Sequence, residues 1–198
     1  MTMAKREITA ADVMPMADYA RIRREHRKHV TAIKRLRRLS VGPYSTWHFE
    51  NYETMWHQVH EMLFIEKGGA EQVPDELRAY NPLIPKGREL VATIMFEIED
   101  PVRRKTELAR LGGIEHTVFL RIGGEVVKGV PEADQDRTSE EGKASSVQFV
   151  HFPFTDAQAR AFAADGAEVV AGFSHAAYGH MTVVPDDVRR ALAQDFAA

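Results

Sequence analysis

The stretch TVFLRIGGEVVKGV, residues 117–130, decides the fold. Two apolar-rich runs flank a Gly-Gly pair, and a two-residue connection of that kind matches the right-handed twist of paired strands. It predicts a β-hairpin and hence antiparallel pairing. Upstream, PVRRKTELARLGG (101–113) predicts a helix with Pro in its first turn and Gly past its end. Before it, ELVATIMFEIE (89–99) reads as a strand. Downstream, PEADQDRTSEEGKA (131–144) is acidic without an apolar anchor, which predicts a mobile loop. SSVQFVHF and AEVVAGFS predict strands around a helix starting at Thr155. HMTVVP adds a strand, and DDVRRALAQDF a closing amphipathic helix.

In the first half, Thr9 followed by AADVM predicts a helix start, with Pro15 opening a longer helix. Tyr19, Ile22, His26, Val30, Ile33 and Leu36 recur at three- and four-residue spacing, an apolar stripe that carries this helix to about Leu39. YSTWHFE (44–50) reads as a strand. YETMWHQVHEMLFIEK (52–67) is a second helix capped by Asn51, and PDELRAYNPLIPKG (74–87) a short helix and a Pro-rich loop. Short links and hairpins outnumber βαβ units. The expected fold is therefore α+β: a mostly antiparallel sheet packed by about five helices, with a long basic helix at the N-terminal end. The 198 residues are expected to form one domain, a helical layer over about 1–80 on a sheet-rich part over about 88–198.

Composition narrows the chemistry. There is no cysteine, which excludes disulfides, thiolate zinc, Cys-held iron–sulfur clusters and a Cys nucleophile. No apolar run approaches the roughly 18 residues of a membrane span. The first residues lack a signal-peptide core, so the chain reads as cytoplasmic and bacterial in style. Charge is split sharply. The total is −3, yet RIRREHRKHVTAIKRLRR (21–38) holds nine Lys/Arg against Glu25 alone. A strongly basic helix sits on an acidic body.

Three groups of residues could carry function. On the second helix, Glu53, His57, His60 and Glu61 share one arc opposite Met55, Trp56, Val59, Met62 and Leu63, with Glu53, His57 and Glu61 forming an i, i+4, i+8 ladder. Such spacing suits a His–carboxylate metal site. The preferred reading is an exposed face of weakly interacting neighbours, since nothing nearby completes a ligand set. Glu66 falls in the apolar arc and needs a cation, because an unpaired buried carboxylate is costly. Arg23, Arg27, Arg37 and Arg38 lie beside the stripe of the first helix, while Arg24, Lys28 and Arg35 point outward. The expected arrangement is a seam of Arg/Lys from helix one against Glu61 and Glu66, with a polar hollow at the junction. Last, SHAAYGHM (174–181) gathers His175, Tyr178 and His180, which could converge as ligands but read more simply as turn residues. The basic helix could also track phosphates, but no nucleic-acid motif accompanies it and the acidic body repels them. No cofactor can be named, and a homo-oligomer stays open.

The run YARIRREHRKHVTAIKRLRRLSVGP, then FENYETMWHQVHEMLFIEK and AYNPLIP, resembles a bacterial family known as domain of unknown function 3501. The similarity spans nearly the whole chain, including the closing SHAAYGH. It matches the family pattern at Arg23, Arg27, Lys34, Arg38, Gly42, Pro43, Thr54, Gln58, Glu61, Met62, Glu66, Asn81 and Pro82. His57 and His60 fall outside that pattern. The resemblance marks Arg23, Arg27, Lys34, Arg38, Gln58, Glu61 and Glu66 as ligand-binding candidates. It implies a genomic setting beside rubrerythrin and an iron–sulfur subunit similar to heterodisulfide reductases, and so a soluble accessory in peroxide or redox metabolism. Whether that accessory is an enzyme the sequence leaves open.

Overall fold

The structure is a computed structural model and describes residues 5–132 and 143–197. The acidic stretch read as a loop lies outside the described residues over 133–142. Among the described residues, six α-helices and two antiparallel sheets make an α+β fold. The first sheet has the order β1-β2-β3-β7-β6, from Arg38–Val41, Ser45–Phe49, Glu89–Phe96, Val147–Pro153 and Val130–Pro131. The second has the order β5-β4-β8-β9, from Glu125–Lys128, Val118–Ile122, Val169–Phe173 and Met181–Val183. The 117–130 hairpin is β4–β5, with Ile122 opposite Glu125 across the Gly-Gly turn.

Strand alternation sorts side chains between two cores. From β3, Leu90, Ala92, Ile94 and Phe96 enter the larger core, which joins the two sheets. There Trp47 of the first sheet meets Phe173 of the second edge-on, with ring centres 5.3 Å apart, and stacks on Phe152 at 5.7 Å. Val91, from the opposite face of β3, joins a smaller core with Ile8, Met55, Val59, Leu63, Leu83 and Ile84. That second core seats the helices α1 (Met16–Arg35), α2 (Tyr52–Glu66) and α3 (Val73–Tyr80). The remaining helices are α4 (Pro101–Ala109), α5 (Asp156–Ala163) and α6 (Asp186–Ala193).

The basic helix ends four residues earlier than its periodicity suggests. Arg37, Leu39 and Val41 are buried while Arg38 and Ser40 are exposed, a period of two rather than 3.6. The segment is β1, turned back onto β2 through Gly42, Pro43 and Tyr44. Gly42 has φ +76, and a Cβ there would stand 2.6 Å from the Tyr178 hydroxyl, so only glycine fits. Tyr178 in turn donates its hydroxyl to the Val41 carbonyl at 2.9 Å.

His151 on β7 lies between two carboxylates, with Nδ1 2.9 Å from Glu89 and Nε2 2.6 Å from Glu132. The Glu89 hydrogen bond raises its pKa above 6.5 against the opposing effect of burial. A raised histidine stabilises the fold below the unfolded value of 6.5, and that contribution is lost as pH climbs through the folded value. Denaturant unfolding at pH 6 and pH 8.5 should show about 1 kcal/mol of extra stability at the lower pH. His151→Gln should abolish that difference; an unchanged difference refutes the assignment.

Candidate functional site

The junction of α1 and α2 carries the seam. α2 begins at a reciprocal cap: the Asn51 side chain accepts from the Thr54 N–H at 2.9 Å, and Thr54 Oγ1 accepts from the Asn51 N–H at 3.0 Å. This fixes the rotation of α2 so that His57 and Glu61, one turn apart, face Tyr19 and Arg23, also one turn apart on α1. Arg23 grips Glu61 through two parallel bonds, Nε and a terminal nitrogen each at 2.8 Å from one carboxylate oxygen. Tyr19 donates its hydroxyl to the same carboxylate at 2.7 Å and lies 3.2 Å from His57 Nδ1. The Arg23 guanidinium also covers the Phe64 ring at 4.6 Å.

The electrostatics make this seam a clamp. The Arg23 bonds hold the Glu61 carboxyl down at about 2, with Tyr19 adding to the effect. Burial pushes His57 down to about 4, and burial together with Glu61 raises the Tyr19 phenol. Near neutral pH the carboxylate is ionised, the imidazole neutral and the phenol protonated. None of the three titrates near neutral pH, and their contacts tie α1 to α2.

Other expected site residues are distributed differently. Glu66 does not meet the basic helix. It is exposed and accepts from Gln72 Nε2 at 2.7 Å: Phe64 in the same turn touches Tyr19 and Arg23 of α1, and Glu66, two residues on, points away from them toward the start of α3. Gln58 also faces that side, with Nε2 3.5 Å from the Tyr80 hydroxyl. Arg38 leaves the helix for β1 and lies 3.6 Å from Glu97. Lys34 is half-buried near the end of α1 and, with Arg38, adds to the burial that lowers the pKa of His48. Arg23, Arg27 and Glu61 thus share one neighbourhood, while Gln58, Glu66 and Arg38 belong to others.

The metal constellation does not form. His60 is fully buried rather than on the exposed arc: its Nδ1 lies 2.7 Å from the Trp56 carbonyl and its Nε2 accepts from the Met14 N–H at 3.1 Å. The N-terminal arm covers it, and both nitrogens are occupied. Glu53 turns instead to His29, at 3.4 Å. His175 Nε2 is 3.2 Å from the Gly112 carbonyl and its Nδ1 accepts from Ala177, while His180 packs edge-on against Tyr178. These are turn-stabilising contacts. Among the described residues no three His, Asp or Glu side chains converge on a position a metal ion could take.

Beside the seam, Arg23, Arg24, Arg27 and Lys28 surround a hollow of about 400 Å3 formed with Ala20 and Phe64. Arg27 and Arg35 form no ion pair among the described residues, whereas Lys28 and Arg24 share Glu25 at 3.1 and 3.5 Å. Sequence reasoning missed Tyr19 as a seam member, having counted it in the apolar stripe. The signal was available: Tyr19–Arg23 and His57–Glu61 are matching four-residue steps on facing helices. Arg37, expected beside the stripe of the first helix, lies outside the seam: it is 4% exposed and donates to the Phe49 and Glu50 carbonyls at 2.9 and 3.0 Å and to the Asp195 carboxylate.

A search of curated proteins gives no match. Among solved structures, the crystal structure of a novel protein of unknown function from Burkholderia pseudomallei K96243 is 35% identical, with a TM-score of 0.88. The alignment covers 96% of this chain and 99% of that one. The family model described as protein of unknown function (DUF3501) matches residues 7–196. The residue pattern along α1, α2 and the Asn81–Pro82 turn thus has its explanation: the chain belongs to the DUF3501 family of proteins of unknown function.

Proposed function

We propose that this protein is a binding accessory that docks an acidic protein partner through the outward face of α1. The observation that carries this reading is the clamp beside the hollow. Arg23 is neutralised by Glu61, yet Arg24, Arg27 and Lys28 stay grouped around Phe64 with only Glu25 among them. A cluster of surface cations on an acidic body steers an acidic partner into one orientation, and the part of Phe64 left uncovered by Arg23 supplies apolar contact. The family resemblance suggests the partner's identity: a rubrerythrin-like or iron–sulfur protein, in which the electron chemistry would reside while this cysteine-free chain binds and positions.

Purified iron–sulfur or rubrerythrin-like partner, followed by its visible absorption, should be retained on immobilised protein at low salt. Retention should fall steeply with salt. Reversing Arg24, Lys28 and Arg35 to Glu should weaken it by on the order of tenfold or more without changing the melting temperature, since all three are exposed. Equal retention by the triple variant, or retention of nucleic acid in preference to the iron protein, would refute the proposal.

A further inference from the structure

A second cleft, of about 520 Å3, lies away from the seam. Ile33 of α1, Leu36 just past its end, the Ile84–Pro85 loop and Ala191 of α6 give it apolar walls. Its size falls within the roughly 300–1,000 Å3 of small-molecule sites. Five charged side chains also line it: Lys5, Arg6, Arg37, Glu53 and Asp195. Four of these have a charged partner. Arg37 pairs with Asp195, Lys5 with Asp12, and Glu53 is drawn to His29. Arg6 remains.

Arg6 is held in place by neutral groups. Its guanidinium donates to the Pro85 and Asp195 carbonyls, both at 3.1 Å, and forms no ion pair among the described residues. It lies against Gly87, where φ is +98 and a Cβ would stand 2.7 Å from the guanidinium carbon. The backbone has thus made room for a fixed cation without giving it a carboxylate of its own: that of Asp195, within electrostatic reach, is bonded to Arg37. Carbonyls from two loops and a missing side chain hold it at the edge of an apolar cleft. One unmatched positive charge beside apolar walls is complementary to one negative charge on an apolar body.

We propose that this cleft binds a small amphipathic monocarboxylate, with its carboxylate on Arg6 and its apolar portion along Ile33, Leu36 and Ala191. The site is separate from the docking face of α1, and either can fail without the other. Calorimetric titration of the full chain with sodium octanoate should give one site. Octanamide, matched in shape but uncharged, should bind weaker by on the order of tenfold. Arg6→Gln should erase the difference between the two, and Ala191→Phe, which fills the cleft from a helix, should abolish both while the circular dichroism spectrum is retained. Absence of octanoate binding, equal binding of octanamide, or octanoate binding unchanged in both variants overturns the proposal. So does binding of inorganic phosphate in place of octanoate.

Discussion

Replacing Asp195 with alanine is expected to cost about 3–5 kcal/mol of unfolding free energy, the largest effect anticipated for any charged residue in the protein. The Arg37 side chain is 5% exposed and that of Asp195 9% exposed, so a charge left without its partner has little contact with water beyond the edge of the adjoining cleft. Burial raises the pKa of Asp195 despite Arg37 beside it, which means that desolvation outweighs the attraction within the pair. The desolvation cost of such a buried pair offsets much of its attraction, so its removal as a unit is a different matter from its rupture. Arg37→Met combined with Asp195→Leu should lie closer to the parent than Asp195→Ala alone, short of full recovery because the Phe49 and Glu50 carbonyls lose their donors. Urea unfolding of the parent, the single and the double variant measures this. A double variant as unstable as the single one, or a single variant costing under about 1 kcal/mol, would show that Arg37 finds water or another partner.

That ion pair also marks where sequence reasoning stops. Residues read through a local period were legible: the Gly-Gly hairpin, the Asn51 and Thr155 caps, the strand at 89–96 and the terminal helix all appear within a few residues of expectation. The end of α1 was not, because the apolar spacing of Ile33, Leu36 and Leu39 suits a helix. The pairing of Arg38–Val41 with β2 is a tertiary contact that overrides it. Division into two sheets likewise depends on which strand edges meet, and no single strand encodes that. The seam was half legible. Facing ladders placed Arg23 against Glu61, but a wheel cannot say which neighbour each part of a helix face meets, so Glu66 was assigned a cation of α1 while it bonds Gln72 instead. His60 failed for a related reason: the arm over Met14 buries a helix face that a wheel alone shows as free.

The seam itself should act as an acid-sensitive element. Glu61 falls from an ordinary value of 4.5 to about 2, chiefly through Arg23. A depressed carboxyl contributes stability that is complete above 4.5 and disappears as pH drops from 4.5 toward 2. His57 acts in the window above. Burial lowers it from 6.5 to about 4, so the unfolded chain takes up its proton first and stability begins to fall below 6.5. Acid loss should thus come in two stages, His57 first and Glu61 after it. Glu61→Gln is expected to cost about 2 kcal/mol at pH 7 and to flatten the profile below pH 4.5 while leaving the upper stage in place. The cost is smaller than at Asp195 because the orphaned Arg23, 28% exposed, can turn to solvent. Denaturant unfolding at pH 7, 5 and 3 separates the stages, and a Glu61→Gln profile parallel to that of the parent would refute the assignment. Neither group titrates between pH 7 and 8, so the clamp that sets the cations of α1 in place is constant there. Partner retention should respond strongly to salt and hardly at all to pH across that interval; a steep pH dependence would mean that the docking face is not the one Arg23 and Glu61 hold in position.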